Sequence, residues 1–376
     1  MHEDVIGAPA PPPLPPAAGD AQHWWPAPSP PPAPLVEHRF SFHGDAREYF
    51  RIWIVNLALG ILTLGIYSAW AKVRTQRYFH GNTRLAGVPF EFLAKPWPIL
   101  KGRLIAVTLF VAYVLASQFS LAWQFALIGV VLLATPWLLV RGLAFRARYS
   151  AWRGLVFRFI PDYGEAYIRY LLLLIPTVLT LGMLYPWVQG QQKRFIVEHH
   201  RYGGHGFRFL VSSGRFYIPY LIAWGVMTAL IFVFFFAVAA LAAASALSGK
   251  GNGTPPVWIM MTIVGGFYAG YFVIFVFLQA ALLNLVYNHV DIGGRRLRST
   301  LKGHRLLAIY ALNTLAVLAS AGLLIPWAKI RLARYRAESL SLLAADDLEG
   351  LVAERAGEID ATAAEVDGLF DIDIGL

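Results

Sequence analysis

The chain has 376 residues, 57% of them apolar and only 14% charged, with a mean hydropathy of +0.53, a net charge of +10 and no cysteine. That balance excludes an ordinary water-soluble domain, and the missing thiols exclude disulfides, thiolate metal centres and cysteine nucleophiles. The charge is uneven: residues 36–343 hold 31 basic and nine acidic residues, so the basic part of the chain is also its apolar part.

Residues 1–37 form a proline-rich arm with neither a basic n-region nor an apolar h-region. This predicts a disordered, solvated tail and no cleavable signal peptide. Between residues 38 and 342 the sequence is dominated by stretches without a single charged residue, at 104–140, 170–192, 216–249, 251–289 and 306–328. Roughly 20 apolar residues cross a bilayer, so a multi-pass membrane domain is expected here. Residues 343–376 contain ten acids and one basic residue, Arg355. They predict an acidic tail, either solvated or associated with the basic membrane face.

Internal repetition organises the middle region and emerges when Gly65, Gly182 and Gly322 are set in register. Trp70, Trp187 and Trp327 then follow five residues later, and Arg77, Arg194 and Arg334 twelve residues later, each arginine preceding an aromatic: Tyr78, Phe195 or Tyr335. A hydroxyl residue, Thr63, Thr180 or Ser320, stands two positions before each glycine. A second pattern, Gly-x-x-Phe-x-Phe, begins at Gly87, Gly154 and Gly204, with a weaker copy after Gly294. Its alternation has the period of a strand. The chain thus divides into five units joined by short extended connectors. The first, third and fifth units are short, whereas the second and fourth have room for two crossings each.

Arginines crowd the connectors, while the turns at 117–124 and 242–257 contain one basic residue between them, Lys250. The positive-inside tendency then places every connector on the cytoplasmic side and the two turns outside. The short units must dip in and return as re-entrant hairpins broken near Gly65, Gly182 and Gly322, instead of crossing once each as inverted repeats. Such hairpins satisfy both observations only if other helices bury their irregular backbone.

The run Leu62-Thr63-Leu64-Gly65-Ile66-Tyr67-Ser68-Ala69-Trp70-Ala71-Lys72, followed by Arg77-Tyr78-Phe79-His80-Gly81-Asn82-Thr83-Arg84, resembles the YjgN-like family of bacterial inner-membrane proteins. The copies at Gly182-Met183-Leu184-Tyr185-Pro186-Trp187 and Gly322-Leu323-Leu324-Ile325-Pro326-Trp327-Ala328-Lys329 fit the same resemblance, which spans about residues 38–342 and omits both tails. It implies a multi-pass protein of the bacterial cytoplasmic membrane without an assigned activity. No functional residue is carried over from the family.

The expected fold is therefore an all-α polytopic membrane protein with internal repeats, short β-like connectors and disordered tails. Arg77, Arg194 and Arg334 are candidates for binding phosphate or carboxylate groups of an anionic lipid or ligand, against a simpler role as interfacial anchors. Trp70, Trp187 and Trp327 read as such anchors. Asn56 and Asn313, which share one repeat position, and Gln279 are amides within apolar sequence that either join helices or line a solute path. Glu48 and Glu165 suit a helix N-terminus. His199, His200 and His205 lie among arginines with Glu198 as the nearby carboxylate, so no metal site is expected.

No phosphate-binding loop, nucleophile elbow or His-Glu-x-x-His occurs, and neither enzymatic activity nor a cofactor is expected. Basic residues flank the spans without forming a separate patch, which favours anionic membrane lipids over nucleic acid as partners. A transporter or channel-like protein for a small solute or lipid is the leading functional expectation, drawn from the repeats and the polar groups within spans. The alternative is a non-catalytic membrane scaffold or envelope-associated factor.

Overall fold

The Gly-x-x-Phe-x-Phe segments form the second strands of tight β-hairpins. In the computed structural model, which describes residues 35–345 apart from 117, 119 and 248–256, ten short strands are present: β1 (Val36–Phe42), β2 (Thr83–Leu85), β3 (Val88–Phe92), β4 (Ser150–Trp152), β5 (Leu155–Phe159), β6 (His200–Tyr202), β7 (His205–Phe209), β8 (Val290–Ile292), β9 (Arg295–Ser299) and β10 (Leu340–Ala344). The proline-rich arm, the acidic tail beyond residue 345 and the turn at 250–256 lie outside the described residues. Ala86 and Gly87, like Arg153 and Gly154, both take positive φ. This is the two-residue turn whose twist matches paired strands, and it explains why a glycine opens the copies at Gly87 and Gly154.

Each hairpin pairs with the next, and β10 pairs with β1 from Val36↔Ala344 to Arg39↔Ser341, closing an antiparallel ten-stranded barrel. The all-α expectation is thereby overturned. The connectors are extended, as their alternation predicts, but they pair with one another into one continuous sheet. A strand of three to five residues is marginal alone, and its partners lie as much as a whole helical unit away, so nothing local in the sequence announces the pairing. Closure gives every strand two neighbours and leaves no edge.

Alternation turns one set of side chains into the barrel. Phe40, Leu85, Phe90, Trp152, Phe157, Tyr202, Phe207, Leu297 and Leu342 pack together there. Phe40 stacks on Phe90 with centroids 6.0 Å apart, and the rings continue through Trp152 and Tyr202 to Phe157. The polar atoms of the large rings are satisfied inside: Trp152 Nε1 donates to Val88 O at 3.2 Å, and the Tyr202 hydroxyl donates to Trp152 O at 2.8 Å. The lumen is a packed core, each buried aromatic contributing about 1.5–3 kcal/mol.

Five helical units are inserted between hairpins: α1 (Ala46–Leu62) with α2 (Ser68–Asn82); α3 (Pro96–Ala116) with α4 (Leu121–Arg148); α5 (Tyr163–Tyr167), a π-turn at Ile168–Leu172 and α6 (Leu174–Leu179), with α7 (Tyr185–Glu198); α8 (Tyr217–Leu247) with α9 (Val257–Tyr287); and α10 (Gly303–Ala319) with α11 (Ile325–Glu338). Every strand is antiparallel to both neighbours, so each unit leaves at the end of an odd-numbered strand and returns at the adjoining start of the next. All five therefore leave and rejoin the barrel at one end. Helices α3, α4, α8 and α9 are long and apolar enough to cross a membrane. The arms of the short units, such as α1 with 17 residues, are about 25 Å long and fall short of a hydrocarbon core of roughly 30 Å.

The tips of the short units show why glycine and a hydroxyl recur. Leu64 and Gly65, Leu181 and Gly182, and Ala321 and Gly322 take left-handed conformations that end the first helix. The amides of Gly65, Gly182 and Gly322 donate back to the carbonyls of Gly60, Thr177 and Val317 at 2.7–2.8 Å. Hydroxyl oxygens of Thr63, Thr180 and Ser320 then accept the amides of Tyr67, Leu184 and Leu324, capping the second helix. Local partners thus satisfy the broken backbone, and no surrounding helix is required to bury it. What the tips expose is apolar: Leu64 is 94% and Leu181 95% exposed.

Shared emergence at one barrel end predicts a single sidedness. In a chain without native cysteine, cysteines introduced singly at Arg84, Arg158, Arg208 and Arg298 should react with an impermeant thiol reagent from the same, cytoplasmic, face of the membrane. Labelling of the Arg84 and Arg208 positions from opposite faces would establish the inverted arrangement instead.

Candidate functional site

The three repeat arginines occupy one structural position. Nη2 of Arg77 donates to Ala94 O at 3.0 Å, that of Arg194 to Val211 O at 2.9 Å, and that of Arg334 to Gly44 O at 3.0 Å. Each acceptor lies two residues beyond an odd strand, β3, β7 or β1. Each arginine therefore ties the second helix of a short unit to the segment leading into the following unit. Arg334 does this across the seam between the last unit and the first. The three guanidinium groups serve three separate junctions and do not converge on one another's acceptors.

The tyrosine behind two of the arginines ties the second helix to the start of its own unit. The Tyr78 hydroxyl accepts the Asp45 amide at 2.8 Å, and the Tyr335 hydroxyl accepts the Lys302 amide at 2.8 Å. In the third unit this position is Phe195, without a hydroxyl. There Glu165 pairs with Arg169 and lies 3.2 Å from His199 Nε2. Asp162, Glu165 and His199 could in principle hold a metal ion, since their ligand atoms lie within 4.8 Å of one another. Two of the three already have other work: Asp162 caps α5 through the Glu165 amide at 2.8 Å, and the Glu165 carboxylate faces a guanidinium. Burial holds the His200 imidazole below its ordinary pKa, and it pushes the Tyr202 hydroxyl up to about 12.

Trp70, Trp187 and Trp327 lie in the first turn of α2, α7 and α11, near the hairpin tips. Trp70 packs edge-on against Trp97, and Trp327 lies under the Arg331 guanidinium, 5.2 Å from the ring centroid. Asn313 Nδ2 donates to Ala328 O at 3.1 Å, joining α10 to α11. Oδ1 of Asn313 and of Asn56 are both buried without a hydrogen-bond partner. Asn313 borders a cleft of about 340 Å³ with Lys329 and Thr314, which neither Asn56 nor half-buried Gln279 lines. Asn284 on α9 makes three hydrogen bonds. Its Oδ1 accepts the Ser299 hydroxyl at 2.7 Å and the Leu301 amide at 3.1 Å, and its Nδ2 donates to Leu301 O at 2.8 Å.

Two further cavities flank this machinery. One, of about 390 Å³, sits at the helix end of the barrel, floored by Phe40 and Phe90 and rimmed by His80, Ser299 and Arg336. The other, of about 470 Å³, lies between α10 and α11 beside the start of α1, where Arg305, Arg331 and Arg334 meet Trp327 and Ile309. Arg305 escapes a search for repeat identities because the first and third units have Glu48 and Glu165 at its position, whereas Arg331 matches Arg74 of the first unit and is replaced by Gln191 in the third. Arg331 is also marked in the sequence as the residue one helical turn after Trp327.

The chain matches, over residues 37–369, the family described as "Bacterial protein of unknown function (DUF898)", and it belongs to that family. It is similar to inner membrane protein YjgN of Salmonella typhimurium, 30% identical over 123 residues, which cover 32% of this chain and 31% of the relative. The protein of the same name from Escherichia coli O157:H7 is 28% identical over 154 residues, covering 40% of this chain and 37% of the relative. The aligned segments thus span about a third of the length of these curated relatives. No solved structure matches the chain. With four helices fit to cross a bilayer, the chain is a multi-pass protein of the bacterial inner membrane.

The junction geometry gives a direct expectation for Arg194. Replacing it by Ala leaves the carbonyl of buried Val211 unpaired and should cost about 1 kcal/mol of stability, the side chain being partly exposed. Thermal unfolding of the detergent-purified protein should show a lowered midpoint, whereas Arg158→Ala, on the exposed outer face of β5, should leave it unchanged.

Proposed function

We propose that this member of the DUF898 family is a non-catalytic membrane scaffold: a plugged barrel outside the hydrocarbon core that holds five helical units in a fixed ring within the inner membrane. The observation that carries this reading is the barrel lumen, where stacked aromatic rings fill the axis along which a solute would otherwise pass. A conducting or carrier function needs polar surface at membrane depth, and of the candidates Asn56, Asn313 and Gln279 it is Asn313 alone that lines the cleft of about 340 Å³. Transport along a lateral path remains the second reading, favoured by one observation: the unpartnered Oδ1 of Asn313 beside Lys329.

Proteoliposome flux separates the two. On the scaffold reading, vesicles containing the full chain release entrapped potassium and a small anionic dye no faster than protein-free vesicles. Release that rises with the amount of protein, and falls in Asn313→Leu, would replace the scaffold by a transporter.

A further inference from the structure

The last short unit departs from the repeat, and the departure has a sign. At the start of the first helix, seventeen and twenty residues before the repeat glycine, the first and third short units carry Glu48 with Asp45 and Glu165 with Asp162. Both aspartates cap their helices. The fifth unit has Arg305 and Lys302 at these positions, and Lys302 makes no side-chain cap. Two acids are thus exchanged for two cations at the start of the last unit, and Arg305 among them reaches the cleft beside the start of α1.

Arg305 faces Arg331 and Arg334 across the cleft of about 470 Å³. Among the described residues none of these three arginines forms an ion pair. Two acids also line the cleft. Asp45 is committed to the amides of Glu48 and Arg47, which hold its carboxyl below the usual carboxylate range. Glu338 lies at the barrel-side limit, a turn beyond Arg334. The remaining lining is graded along the helices. Trp327, Arg331 and Arg334 are spaced by four and three residues, so they share one face of α11, and the charges lie toward the barrel while Trp327, Ile309 and Ile330 extend toward the apolar tip. An acyl chain and a phosphate would be accommodated in that order.

We propose that this cleft binds an anionic phospholipid, with Arg305 and Arg331 gripping its phosphate beside Arg334. The planar guanidinium suits phosphate oxygens in a way a point charge does not. The inference is separate from the scaffold reading, since a bound lipid neither requires nor excludes flux.

Native mass spectrometry of the full chain in mild detergent tests it. Phosphatidylglycerol should be retained and phosphatidylcholine should not, and the Arg305→Gln/Arg331→Gln variant should lose about tenfold in retention, or about 1.4 kcal/mol. Arg334 is left in place because it also ties the seam. Ala308→Trp fills the apolar limb without altering charge, and it should lower retention as well; it decides the matter if the double variant fails to fold. Equal retention by parent and variants at unchanged unfolding temperature overturns the proposal. Displacement of the lipid by millimolar inorganic phosphate overturns it too, by assigning the arginines to the free anion.

Discussion

Closure of the barrel is the constraint on which everything else depends. Strands of three to seven residues have too few hydrogen bonds to persist as isolated hairpins. Joined edge to edge, each gains a partner on both sides, and the ring they form fixes ten points at which helices must begin or end. Antiparallel order puts those points at one end. All five helical units are thus brought to one end of the barrel by hydrogen bonding between strands.

The repeat arginines extend the same logic from backbone to side chains. Each acceptor is a carbonyl just beyond a strand, so the guanidinium locks the direction in which the chain leaves the ring. Tyr78 and Tyr335 brace a different corner, the entry of their own unit, by exchanging hydrogen bonds with the backbone amide and carbonyl of Asp45 and of Lys302. In the third unit a carboxylate, an arginine and a histidine take the place of the missing hydroxyl. The chemistry differs while the mechanical role persists.

How much of this was legible in the sequence depends on where each signal resides. The strand period around Phe90 and Phe157 is local and readable, and so is the glycine register. Pairing between β1 and β10 is not readable, because residues more than 300 positions apart leave no mark on each other in a single sequence. The recurrence of Arg77, Arg194 and Arg334 announces a common environment, but a backbone carbonyl has no side-chain identity, so their acceptors were invisible. Thr63, Thr180 and Ser320 show the opposite case: the hydroxyl was plain, and only the turn geometry explains what it caps. Arg305 gives no repeat signal, because it stands where one unit reverses the charge that Glu48 and Glu165 carry in the others.

The pairing of β1 with β10 also has a consequence for biosynthesis. A ribosome delivers the chain from its N-terminus, and β1 must wait through all five helical units before its second neighbour, β10, is made. Over that interval one side of β1 presents unpaired amides and carbonyls to other nascent chains, the circumstance in which edges associate wrongly. Glu37 and Arg39, alternating along β1 with His38 and Phe40, put opposite charges on its outer surface and discourage a foreign strand from docking there. Completion of the ring is then a late, all-or-none event, and helices inserted earlier acquire their final spacing only when the last strand arrives.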